Sequence, residues 1–378
     1  MDNLIQRTIQ KQIEDKLFKG KAIILYGARQ TGKTTIVKQI QNKHSDTSVY
    51  YNFDEPDIRK EFQEVTSDYL KKIIGDKKLV IFDEAQRVKN IGITLKLIVD
   101  NFKDIQVIAT GSSSFDLASQ TAEPLTGRKY EFYVYPFSLE ELNPEKDKLK
   151  IDRLLENRMI FGMYPEVALK SKEEQEETIK NIAKSYLYKD VLQYQNIKNP
   201  EILEKLLQVL ALQIGNEVSY NEISNVLDID KKTVSSYVEI LKKAFIIFDL
   251  KPFSRNIRKE IKKLRKIYFF DLGIRNALIN NFNLLDLRSD KGQMWENFVI
   301  SERVKLNNNH RIDCNTYFWR THDKKEIDYI EEKDGRLYAF EIKWSKGKIS
   351  GAREFIDKYK ESEYQMINKD NYGEFLLK

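Results

Sequence analysis

Gly27-Ala28-Arg29-Gln30-Thr31-Gly32-Lys33-Thr34 is the stretch on which the reading of this chain turns. It fits G-x-x-x-x-G-K-[ST] and lies between an apolar run, Ala22 to Tyr26, and a helical stretch opening around Thr35. Phosphate oxygens need many donors at close range. Glycines let backbone N–H groups approach them, and the N-terminus of the following helix adds the positive end of its dipole. Lys33 is placed to neutralise the β- and γ-phosphates, and Thr34 to offer its hydroxyl to Mg²⁺. Gly27 to Thr35 is therefore the expected ATP-binding segment. The competing explanation, an accidental match in a glycine-containing turn, is disfavoured by a strand before it and a helix after it.

Working outward, short apolar runs alternate with helical segments: Ala22 to Tyr26, Val49 to Phe53, Leu79 to Phe82, Ile105 to Ala109 and Tyr130 to Tyr135. Such alternation predicts a parallel sheet covered by helices, closing near Pro144. Before it, Ile5, Ile9, Ile13 and Leu17 recur every fourth residue and predict one amphipathic helix ending at Gly20. The third run ends in Asp83-Glu84. Ligands of α/β sheets gather at the carboxyl ends of strands, so Asp83 is expected to hold Mg²⁺ and Glu84 to polarise the attacking water. The fourth run ends in Thr110-Gly111-Ser112-Ser113-Ser114. Ser112 there could sense the γ-phosphate, or the loop could simply cap a helix. Arg128 is a candidate charge-stabilising arginine for this site or a neighbouring subunit's, with a solvated loop arginine as the alternative.

Composition narrows the class of protein. The 378 residues are 41% hydrophobic and 32% charged, as in a soluble globular chain of two or three domains. No apolar stretch approaches the ~20 residues a membrane-spanning helix needs. The N-terminus lacks the apolar core of a secretory signal, so no membrane partner and a cytoplasmic location are expected. Cys314 is the only cysteine, which excludes an internal disulfide and a cysteine-rich zinc site, and the three histidines are scattered. Any metal should then sit on carboxylates. The net charge of +6 permits nucleic-acid binding without demanding it.

Residues 145–210 read as a helical connector with a turn from Gly162 to Pro165. Ser219-Tyr220-Asn221-Glu222 is a capping box opening a helix to Leu227, Asp228 to Asp230 turn the chain, and a second helix follows from Lys231 to Lys243. This is helix-turn-helix spacing, with Lys231, Lys232, Thr233, Ser236 and Tyr237 at the end that faces bases in such motifs. Phe245 to Leu250 and Ile267 to Phe270 would form a two-stranded wing around Lys251 to Lys266, where eight Lys or Arg stand against one acid, Glu260. DNA is the expected partner, and a solvated or protein-binding helical pair is the alternative.

Near the C-terminus, Glu326 to Ile330 and Leu337 to Lys343 bracket Asp334-Gly335, a strong hairpin signal. With those two residues in the turn, Lys333 faces Arg336, Asp328 faces Glu341 and Glu326 faces Lys343 on one side. Ile327, Tyr329, Phe340 and Ile342 share the other. Carboxylates placed across a ladder repel each other unless a cation bridges them, so Asp328 and Glu341 are metal-ligand candidates and Lys343 could activate a water. A solvated strand face, an inactive scaffold and an active metal nuclease all remain open here.

With these motifs in hand, the chain resembles a family of archaeal and bacterial AAA-type ATPases that join the ATPase to a winged helix and a nuclease-like C-terminal domain. The residues that carry the resemblance are Gly27 to Thr34, Phe82-Asp83-Glu84-Ala85-Gln86, Thr110 to Ser114, Gly127-Arg128, Pro136-Phe137-Ser138 and Tyr164-Pro165-Glu166. It implies an AAA-like core and leaves room for homo-oligomers. The end hairpin is similar to the PD-(D/E)xK nuclease core, with Asp328, Glu341 and Lys343 matching and Glu296 as a further carboxylate; Ile327, not proline, precedes Asp328. The expected fold class is α/β. A parallel-sheet P-loop NTPase domain (1–144) leads through the connector (145–210) to a helical winged-helix domain (211–284). A small α+β restriction-endonuclease-like domain (285–378) ends the chain.

Overall fold

The five apolar runs of the first third become five parallel strands: β1 Ala22–Tyr26, β2 Ser48–Asn52, β3 Leu79–Asp83, β4 Gln106–Gly111 and β5 Lys129–Tyr133, in the order β2-β3-β4-β1-β5. The computed structural model describes residues 4–112, 116–186, 199–254, 265–321, 323–345 and 351–377. β1, β3 and β4 are buried at every position, as strands covered on both faces must be. Ile23 and Leu25 of β1, Ile81 of β3 and Ile108 of β4 pack against Ile36, Val37 and Ile40 of the helix Lys33–Lys43. Phe53, Phe62 and Phe82 meet edge-on or tilted, with ring centroids 5.1–5.3 Å apart. Because the strands are parallel, all five carboxyl ends lie at one edge of the sheet, and the loops after β1, β3 and β4 converge there.

The N-terminal helix is shorter than its periodicity implies. It spans Thr8–Glu14, burying Ile9 and Ile13 against the same core. Beyond it Phe18 takes a left-handed backbone conformation (φ 58°), and its N–H donates to the side chain of Gln106 at 2.7 Å. The chain therefore turns before Gly20 instead of continuing as a helix.

The chain divides into two compact units, Met1–Pro136 with Lys243–Phe245, and Phe137–Lys242 with Ile246–Lys378. The second unit is built on a seven-stranded sheet, β12-β11-β10-β9-β7-β8-β6. Its strands are β6 Glu217–Val218, β7 Ile247–Pro252, β8 Arg265–Phe269, β9 Asn315–Arg320, β10 Glu326–Lys333, β11 Arg336–Ile342 and β12 Ser362–Ile367. Segments 211–284 and 285–378, expected as separate domains, share this sheet because β7 runs parallel to β9, pairing Lys251 with Tyr317 and Pro252 with Phe318.

The residues expected as a connector belong to the same unit. Helices Lys148–Phe161 and Lys172–Tyr186 lie over helix Leu272–Leu278. Asn276 Nδ2 donates to the carbonyls of Met159 and Ile160 at 3.1 and 2.8 Å, and Asp271 accepts from Met163 N at 2.7 Å. Gly162 (φ +80°) lies so close to Asp271 that a Cβ would fall 2.0 Å from its carboxylate oxygen. Burial raises the pKa of the Asp271 carboxyl. The helix-turn-helix segment has the expected spans, Tyr220–Leu227 and Lys231–Lys243, with Asp228 in the left-handed region between them.

Candidate functional site

At the carboxyl edge of the five-stranded sheet, the loop after β1 closes tightly on itself. A Cβ on Gly27 would stand 2.1 Å from the carbonyl oxygen of Val134, so only glycine lets the loop leave β1 beside the end of β5. Gly32 (φ 96°) caps the helix Lys33–Lys43 in a left-handed conformation. Gln30, at φ 59°, is a second such corner. Thr31 Oγ1 donates to Ala28 O at 2.8 Å. Lys33 is buried, and its Nζ donates to the carbonyls of Gly27 and Ala28, both at 2.8 Å. Arg7 ties the loop to the segment just after β5, donating from Nη1 to Thr31 O at 2.7 Å and from Nη2 to Tyr135 O at 2.6 Å. Ala28 is buried, Arg29 is intermediate, and Gln30 and Thr35 are exposed.

The acids of β3 meet this loop. Thr34 Oγ1 donates to Asp83 Oδ2 at 2.9 Å, and Tyr50 of β2 donates to the same oxygen at 2.5 Å. The Thr110 hydroxyl donates to Asp83 Oδ1 and accepts from Glu84 N at 3.1 Å. Burial first, then the nearby Asp83, raises the pKa of the Tyr50 phenol. Asp83 thus sits, almost wholly buried, among hydroxyl donors. A threonine hydroxyl and an aspartate carboxylate in contact form a hard-oxygen donor set that fits Mg²⁺. Glu84 stands beside them, and Ser112, at the end of β4, accepts from the Gln86 amide at 3.1 Å. Ser113 and Ser114 lie outside the described residues.

Arg128 is not brought to this cluster. Ala22 pairs with Lys129 and Tyr26 with Tyr133, so the residue before β5 lies at the opposite edge from the loop after β1. Five residues at about 3.3 Å each separate the two edges by roughly 16 Å. There Arg128 Nε pairs with Asp100 at 2.7 Å, both residues half-buried.

A second gathering of charge occupies the seven-stranded sheet. Asp334 (φ 51°) and Gly335 (φ 78°) make the turn, and the ladder pairs Lys333 with Arg336 and continues to Tyr329 with Phe340. Asp328 Oδ2 accepts from Ile342 N at 2.8 Å, and Glu341 Oε2 from the Tyr364 hydroxyl at 2.8 Å. Lys343 Nζ lies 3.6 Å from Asp328 and 3.5 Å from Glu341. The expected division of faces fails at one residue. β10 shifts register against β9 between Ile327 and Ile330, so Ile327 packs with Ile330, Leu337 and Ala339 and not with Tyr329 and Phe340. Glu326 pairs with Arg320 and Lys266.

Sequence reasoning missed Lys266. Its side chain is 2% exposed, and its ammonium contacts Glu326, Glu296 at 3.0 Å and Asp328 at 3.7 Å. Asn297 docks helix Lys291–Asn309 on β8 by exchanging two hydrogen bonds with the Phe269 backbone, which sets Glu296 against Lys266 and the Tyr268 hydroxyl. Burial pushes the Glu296 carboxyl up to about 7, the Lys266 ammonium opposing and Asp328 reinforcing the rise. The carboxylates raise the Lys266 pKa against burial. Among the described residues no group of three or more His, Cys, Asp and Glu is arranged to hold a metal ion.

On helix Lys231–Lys243, Lys231, Lys232 and Ser236 are exposed, while the Thr233 hydroxyl donates to Asp230 at 2.6 Å. Of the eight basic residues between Lys251 and Lys266, Arg265 pairs with Asp249 at 2.5 Å and Lys266 with the acids above. Residues 255–264, which hold five of the eight, lie outside the described residues.

Residues 19–143 match the family model described as an AAA domain, and residues 152–285 and 291–372 match two domains of unknown function, DUF8612 and DUF4143. The chain therefore carries an AAA-type, P-loop ATPase domain followed by DUF4143 at its C-terminus. An uncharacterized protein of Methanocaldococcus jannaschii is 28% identical over 86% of this chain and 75% of its own length. One of Haemophilus influenzae is 24% identical over 100% and 92%, and one of Mycobacterium tuberculosis 26% over 89% and 74%. Protein VC1899 of Vibrio cholerae aligns over 94% of this chain and 96% of its own at 10% identity, with a TM-score of 0.18. No helix among the described residues is long and apolar enough to cross a membrane.

Proposed function

We propose that the chain binds ATP with Mg²⁺ at the carboxyl edge of the five-stranded sheet and hydrolyses it. The observation that carries the reading is the contact between Thr34 Oγ1 and Asp83 Oδ2 beside the buried Lys33. Thr34 and Asp83 would hold Mg²⁺, which supplies charge neutralisation to the triphosphate. The backbone of Gly27 to Thr34 cradles the phosphates, with Thr35 and Ser112 at the rim. Lys33 releases the loop carbonyls to meet the phosphate charge, and Glu84 orients the attacking water. Arg128, if it serves hydrolysis, does so on a neighbouring subunit in a homo-oligomer.

In this reading the helix pair Tyr220–Leu227 and Lys231–Lys243 with β7 and β8 acts as a winged helix that engages DNA, supported by the exposed Lys231, Lys232 and Ser236. For the end domain, Lys266 favours the reading without cleavage. An ammonium already stands among Glu296, Glu326 and Asp328, so the nuclease-like carboxylates Asp328 and Glu341 with Lys343 form a structural cluster in a nucleotide-controlled, DNA-associated protein.

The test is phosphate release from ATP with and without duplex DNA, for the wild type and Glu84→Gln. The wild type hydrolyses ATP only with Mg²⁺, and Glu84→Gln keeps ATP binding while losing at least about a hundredfold in kcat. An undiminished rate in Glu84→Gln would remove Glu84 from the chemistry.

A further inference from the structure

Gln86 is not needed to build a phosphate site, yet its side chain is buried within this one. Its Nε2 donates to Glu84 Oε2 at 2.6 Å and to Ser112 Oγ at 3.1 Å. Its Oε1 is buried beside Gly111, where a Cβ would stand 3.1 Å from it, and has no hydrogen-bond partner among the described residues. Turning the amide over would set a carbonyl oxygen against the Glu84 carboxylate, so the amide nitrogen is the group that faces Glu84. An orphaned buried acceptor is a cost that a fold accepts for a reason. The backbone points the same way. Glu84 sits in the left-handed region (φ 55°), its N–H held by the Thr110 hydroxyl that also grips Asp83. Thr110 fixes the corner between the two acids, and Gln86 fixes the second acid's side chain.

We propose that Gln86 is the positioning residue for Glu84, joining the Glu84 carboxylate to the end of β4 at Ser112 and leaving Glu84 Oε1 as the oxygen for the attacking water. The inference rests on the ATP-hydrolysis reading and names a residue that reading does not use. In the step concerned, the water oxygen bonds to the γ-phosphorus. The bond from that phosphorus to the bridging oxygen breaks, its electron pair leaving on ADP. The water proton passes to Glu84, while Gln86 keeps its protons and holds Oε2.

Steady-state hydrolysis and ATP binding of the full chain, compared for wild type, Gln86→Ala, Gln86→Glu and Glu84→Gln, test this. Gln86→Ala lowers kcat by about tenfold to a hundredfold while ATP affinity stays within about twofold. Gln86→Glu sets two carboxylates in contact, which then share a proton, so the acid limb of the kcat profile moves up by about one pH unit or more. A purely structural glutamine would leave that limb in place. If Gln86→Ala fails to fold, the nearly isosteric Gln86→Glu decides. Wild-type kcat in a folded Gln86→Ala, or an unmoved pH profile in Gln86→Glu, overturns the role of Gln86 alone, provided Glu84→Gln is inactive. A wild type that binds ATP without hydrolysing it overturns the hydrolysis reading and this inference together, whereas an active Glu84→Gln removes Glu84 from the chemistry and overturns this inference while ATP hydrolysis stands.

Discussion

Two clusters of carboxylates differ in what surrounds them. Asp83 accepts from the hydroxyls of Thr34, Tyr50 and Thr110. Asp328 and its neighbours Glu296, Glu326 and Glu341 stand among two ammonium groups, Lys266 and Lys343. Hydroxyls solvate a buried charge without cancelling it, whereas a lysine cancels it. Asp83 is thus held by neutral donors, whereas the second cluster is held by ammonium groups of the chain. Acidic residues at strand ends look alike in sequence; their partners decide whether they await a metal.

The sharpest way to break this contrast is to remove the internal cation. Lys266→Met leaves three partly or fully buried carboxylates without their shared partner and destabilises the chain by about 3–5 kcal/mol in chemical denaturation. Millimolar Mn²⁺ then restores part of the loss in the variant and does little to the wild type. Equal stabilisation of both by Mn²⁺ would show that the ammonium is not standing in a cation's place.

A smaller effect comes from Glu296. Its folded-state pKa of about 7 lies above its ordinary value of 4.5. The stability this group contributes is therefore complete below pH 4.5 and is lost as pH rises through about 7. Between pH 5 and 8 that loss is on the order of 1–3 kcal/mol, and Glu296→Gln, which mimics the protonated acid, removes it. Denaturation midpoints that fall equally with pH in both proteins would place the titration elsewhere.

What could be read without coordinates was whatever depends on neighbours in the chain. The strands of the first sheet are continuous apolar runs, the loop after β1 is a contiguous motif, and Asp334-Gly335 fixes its own hairpin. Lys266 could not be found this way. It reaches Glu296 and Asp328 only because β8 and helix Lys291–Asn309 are docked through Asn297, and nothing local to Lys266 marks that contact. Arg7 and Tyr50 likewise join the first site through the tertiary fold. Arg128 was legible in part, since a residue that precedes a parallel strand lies at the edge opposite a loop that follows one. The shift at Ile327 comes from pairing with β9, which the hairpin alone does not contain.

Calorimetric titration of ATP with Mg²⁺ into the wild type and Lys33→Ala reaches the central claim most directly. Saturable binding by the wild type, lost in a Lys33→Ala protein that still folds, is the predicted result. No saturable binding at millimolar ATP, or equal affinity in Lys33→Ala, would contradict it.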